Sequence, residues 1–192
     1  REDLSAVDRW LDEGAIRDRA LAVRHSLSQQ LEFACLATTK LMDRRNAESI
    51  HDRVPTLVSQ AALSTITDAR IHWATRVSAV HLAGSLVRNF PQTDARIRQL
   101  LLDTIGDDNE QTWVRAACLE VTTSLRRDEG LAIRPLLESV LLPTPTSDLF
   151  LRARALHIAA AVGETSLALS AVEKRDPSAH VLTTAVQILA GR

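Results

Sequence analysis

Three stretches of the chain align with one another without a gap: Arg76–Leu86, Arg115–Leu125 and Arg152–Val162. Their leading arginines stand 39 and 37 residues apart. Self-similarity at a fixed period of about 20–50 residues marks a fold built by stacking one unit many times. A fourth, degraded copy runs from Leu182 to Arg192, keeps Val186, Gln187, Ile188 and Leu189 in register and lacks the arginine. An aromatic residue stands near the start of the first three copies, as Trp73, Trp113 and Phe150.

Each copy follows a second apolar pattern. Val54/Leu57/Val58, Ile97/Leu100/Leu101, Ile133/Leu136/Leu137 and Ala168/Ala171/Val172 keep the i, i+3, i+4 spacing that lines one helical face. Strand signals are nearly absent. Turn residues punctuate the pattern at Asn89-Phe90-Pro91, Gly106 to Asn109, Asp128-Glu129-Gly130, Pro143 to Asp148, Gly163-Glu164 and Arg175 to Ser178. The unit is therefore helix A, turn, helix B. Thr93 or Asp94, Ser147 or Asp148, and Ser178 are the expected N-caps, because a short oxygen side chain there accepts from an orphan amide. Four units are expected at about residues 50–90, 91–128, 129–163 and 164–192. Ahead of them, Leu4, Val7 and Leu11 make a short stripe closed by Gly14, and a longer stripe runs from Ile16 to Leu41. Residues 1–49 thus form a helical cap or a diverged repeat, continuous with the rest.

The segment from Ile105 to Val121 resembles the HEAT-repeat family, with an acidic turn at Asp107-Asp108, then Val114-Arg115 opening the second helix, then small and apolar residues. Pro55 and Pro135 resemble the family's first-helix proline, and the resemblance covers about residues 50–190. It implies an all-α fold, a right-handed α–α superhelix (HEAT/armadillo-like α-solenoid) of about 3.5–4 hairpins whose B helices line the concave side. It also implies that Arg76, Arg115 and Arg152 form a structural ladder. Asp108 and Asp148 lie near enough in sequence to serve as its acids. The competing reading of the column is a basic stripe that grips phosphate or an acidic peptide.

Other positions carry a candidate binding face. His81, Glu120, His157 and Gln187 align in one polar column between buried neighbours of the B helices, which reads either as a solvated polar column without a ligand or as the face where a docking partner would meet them. Trp73, Trp113 and Phe150 are expected as packing plugs between hairpins, with exposed anchors as the alternative. No metal-ligand pair, nucleophile elbow, phosphate loop or dinucleotide fingerprint occurs, so no catalytic residue, metal or cofactor is assigned and no enzyme is expected. With a formal net charge of −1, no surplus of one sign advertises nucleic acid or a membrane surface. No apolar run reaches the roughly 20 residues that span a bilayer. Cys35 and Cys118 lie within helical patterns as buried thiols, which points to an intracellular, cytoplasmic setting. The missing signal segment suggests a piece of a longer chain. These readings predict a scaffold or adaptor segment that binds another protein or peptide on its B-helix face. Nucleic acid along an arginine-lined face is the alternative: 11 arginines lie between Arg70 and Arg154, against 10 acids.

Overall fold

A computed structural model describes residues 29–32, 34–39, 53–90, 94–142 and 148–191. Among these residues all regular structure is helical. The helices from residue 53 onward are α1 (Arg53–Thr67), α2 (Trp73–Asn89), α3 (Asp94–Gly106), α4 (Thr112–Asp128), α5 (Arg134–Leu141), α6 (Leu149–Ala161), α7 (Ser166–Glu173) and α8 (Ala179–Ala190). Residues 29–32 and 34–39 are also helical, and Cys35 there is buried in the core. The Leu4 to Leu11 stripe, Gly14, most of the Ile16 to Leu41 stripe, Trp10, Thr93 and Ser147 lie outside the described residues.

Two of the expected caps are in place, and one further helix is capped by a residue the sequence did not mark. Asp148 caps α6 by accepting from the amides of Phe150 and Leu151 at 2.9 and 3.0 Å. Ser178 caps α8 by accepting from Val181 at 3.3 Å. At α2 the cap is a histidine: Nδ1 of His72 accepts from the Ala74 amide at 3.3 Å. Three helix stops come from the left-handed region. Gly130 and Gly163 take φ of +66° and +88°. This lets the amide of Leu131 reach the Arg126 carbonyl, and that of Glu164 the Ala159 carbonyl, each at 2.8 Å. Arg175 closes α7 in the same way at φ +52°, with the Asp176 amide 3.0 Å from the Ala171 carbonyl.

The helices pair as α1/α2, α3/α4, α5/α6 and α7/α8, and the second members contact one another in the row α2, α4, α6, α8. Small side chains allow that row to close up: Ala79, Ala83, Ala117, Ala155 and Ala159 are all buried. The tightest approach is at Gly84 of α2, where a Cβ would lie 2.6 Å from a methyl of Val121 on α4. Leu86, Leu119, Leu125 and Leu156 fill the interior between the two layers. Each is worth about 1.5–3 kcal/mol on full burial, and a lone hairpin could cover only part of that surface.

The arginine column is buried and ties the hairpins together. Nε of Arg76 donates to the Ile66 carbonyl at 2.8 Å, that of Arg115 to Ile105 at 3.0 Å, and that of Arg152 to Leu141 at 3.2 Å. Each bond secures a carbonyl at or near the end of the preceding A helix, one of the orphan acceptors of a helix terminus. The acids differ from the sequence expectation. Arg115 takes Asp108 at 3.0 Å, but Arg76 pairs with Glu110 and Arg152 with Asp176, both from the turn of the following hairpin. Asp148 is used otherwise. It caps α6 and accepts the Thr112 hydroxyl of α4, so it joins two hairpins through a neutral donor. The basic-stripe reading of the column gives way here, since the three arginine side chains are only 2–9% exposed.

Candidate interaction groove

A groove of about 520 Å³ crosses the row of B helices. From α2 come Trp73, Val77 and His81; from α4, Thr112, Trp113, Ala116 and Glu120. From α6 come Phe150, Arg154 and His157, and from α8 His180 and Gln187. The same groove holds the whole polar column and all three aromatics. The period explains this: residues one repeat apart return to the same face of successive B helices, so a column in sequence becomes a line in space.

The column residues His81, Glu120, His157 and Gln187 are all exposed. Glu120 does not stand alone, because Nη2 of Arg154 on the next B helix lies 2.7 Å from its carboxylate. Both partners are about half exposed, so the pair adds little stability, of the order of 0–1 kcal/mol, and serves to fix two side chains across the groove floor.

The aromatics depart from the packing-plug expectation. Trp113 is 60% exposed and Phe150 66%, while Trp73 is 37% exposed. Each meets another ring of the groove. Trp73 and Trp113 stack with ring centroids 6.1 Å apart and 30° between planes. Phe150 meets the His180 ring at 5.3 Å, and His72 meets Trp73 at the same distance. Packing would have demanded rings turned inward, but the interior is already filled by alanine and leucine.

Sequence reasoning passed over Arg154 and His180. His180 was within reach: it stands two residues before the aligned Leu182, as Trp113 and Phe150 stand two before Arg115 and Arg152. It is the fourth copy's ring at the aromatic position. Arg154 carries no such signal, since the other copies have Ser78, Ala117 and Thr184 at that register.

Most of the arginines between Arg70 and Arg154 are paired with acids. Of the 11 between Arg70 and Arg154, eight sit in ion pairs: Arg70, Arg76, Arg88, Arg98, Arg115, Arg134, Arg152 and Arg154. Among the described residues, no group of three or more His, Cys, Asp and Glu side chains could hold a metal ion. No described helix is long and apolar enough to cross a membrane. Compared with protein-family models, with curated proteins and with solved structures, the chain matches none of them.

Proposed function

We propose that the chain is a HEAT-like α-solenoid segment that acts as a scaffold or adaptor, holding another protein or peptide along the B-helix groove. The observation that carries this is the exposure of Trp113 and Phe150 beside an exposed polar column. Large rings left open to water cost solvation unless a partner covers them, and aromatic side chains dominate binding energy at interfaces. The neighbour-to-neighbour helix contacts support the solenoid part of the reading, because such an array has an extended face rather than a closed pocket. A binding module without a reaction of its own fits a groove whose one carboxylate is held in an ion pair. The buried free thiols Cys35 and Cys118 fit an intracellular setting.

Nucleic acid is the weaker alternative. Phosphate binding needs a run of cations without partners, and eight of the 11 arginines counted above are neutralised locally.

Site-specific photo-crosslinking tests the proposal. A photoreactive side chain at His157, in the groove, is expected to give discrete adducts in cells that make the protein. The same group at the exposed Leu102 of α3 is expected to give none. Equal labelling from both positions, or adducts from Leu102 alone, overturns the reading.

A further inference from the structure

We infer that the forward side of α8 is a self-association surface, on which a second copy of this chain seats its own α8 about a two-fold axis. This surface is distinct from the B-helix groove, to which α8 gives His180, Thr184 and Gln187.

Gly84 marks the side of a B helix that looks forward along the row, because a Cβ there would meet Val121 of the next B helix at 2.6 Å. The aligned residue of α8 is Ala190, and Val186 and Thr183 stand one and two turns before it on the same side. All three are exposed. The contrast with the earlier copies is sharpest at Val186. Its counterparts Val80, Leu119 and Leu156 are fully buried, whereas Val186 is 51% exposed. In each earlier copy the next B helix packs against the one before it: α4 on α2, α6 on α4 and α8 on α6. Helix α8 is the last described helix of the row, and its forward side keeps the apolar character of a stacking face. Leu182 and Leu189 lie half-buried along the edge of that side.

Two features select a second copy as the occupant. From Ala179 to Ala190 the helix carries no Asp, Glu, Lys or Arg. A charged partner gains nothing on such a face, while two copies of it meet without like-charge repulsion. A two-fold contact sets a patch against itself, so the patch must suit its own surface, and an uncharged apolar one does. The arginine ladder argues against another hairpin of the same kind. Arg76 and Arg152 each take an acid from the hairpin that follows, Glu110 and Asp176. Leu182 stands at their register and would leave such an acid without a guanidinium. At 12 residues α8 is about 18 Å long, so the contact falls short of the roughly 800 Å² per partner of a stable interface. The dimer is therefore reversible, with a midpoint on the order of tens of micromolar.

Sedimentation of the full chain from about 1 to about 500 µM tests this. The expected result is a reversible rise with concentration from the mass of one chain to that of two, and no further. Val186→Glu brings two carboxylates together near the axis and is expected to raise the midpoint at least about tenfold. Its melting temperature in dilute solution should match the parent's, because the position is exposed in a single chain. Ala190→Arg, on the same side, is expected to weaken the dimer in the same direction. Leu102→Glu, at an exposed leucine of α3, should leave the midpoint within about twofold of the parent's. A chain that stays single at the highest concentration, growth beyond two copies, or a dimer untouched by both α8 variants overturns the inference.

Discussion

The Arg152 guanidinium and the Asp176 carboxylate form an ion pair nearly sealed from solvent, with side chains 2% and 8% exposed. It joins α6 of one hairpin to the turn of the next. Two more donations from Arg152 reach the Leu141 carbonyl. Burying two charges is costly, so the pair is a lock more than a source of stability, and the large effect follows from removing one half. Asp176→Ala is expected to destabilise the fold by about 3–5 kcal/mol. Asp108→Ala, which frees Arg115 from a partner 56% exposed, should cost less than about 1 kcal/mol. Urea midpoints of the two variants check the ranking, and equal losses would contradict it.

Gly84 supplies a second test. Alanine there raises helix propensity by about 1 kcal/mol, but its Cβ would sit 2.6 Å from a methyl of the buried Val121. Overpacking of this kind costs about 1–3 kcal/mol, so Gly84→Ala is expected to lose about 1 kcal/mol net. Combined with Val121→Ala, it should cost less than the two single losses added together. A denaturant double-mutant cycle measures the coupling, and strict additivity would rule out the contact.

How much of this was legible beforehand depends on how far a signal reaches along the chain. The hairpin unit and the polar column were legible because each repeats its spacing. The partners Glu110 and Asp176 were not, since they lie 34 and 24 residues from Arg76 and Arg152 and nearer acids compete on paper. Nor did the period of Trp73, Trp113 and Phe150 say which way the rings turn. Rings at one register can face the interior or the groove, and only the filled alanine–leucine interior decides it.

Cys118 gives a pH prediction. Burial, reinforced by the nearby Glu110 carboxylate, pushes its thiol up from 9.0 to about 12. A folded-state pKa raised above the unfolded one means the thiol's contribution is intact below about pH 9 and drains away as the pH climbs towards 12. The chain has no tyrosine, so few other groups titrate in that window. The urea midpoint should fall steadily above about pH 9. In Cys118→Ala, whose baseline is lower because of the cavity, that fall should be visibly shallower. A parallel pH dependence in both proteins would exclude the thiol as its source.

Arg175 offers the opposite sign. It holds a left-handed backbone at φ +52°, where glycine serves at the two equivalent helix ends. An L-residue there costs about 1–2 kcal/mol, partly offset by glycine's greater freedom in the unfolded chain. Arg175→Gly should therefore stabilise the protein by up to about 1 kcal/mol, seen as a higher melting temperature. A lower one would mean that the Arg175 side chain contributes more than its backbone conformation costs.

The ladder arginines do not all point the same way. Arg76 and Arg152 reach forward into the next hairpin, whereas Arg115 folds back onto Asp108 of its own. The joint between the second and third hairpins is bridged instead by the Thr112 hydroxyl on Asp148 and by the half-exposed Arg154–Glu120 pair. Under load the array should flex there first. That joint lies between the two helices that carry Trp113 and Phe150, so flexing there would change the spacing of the two rings.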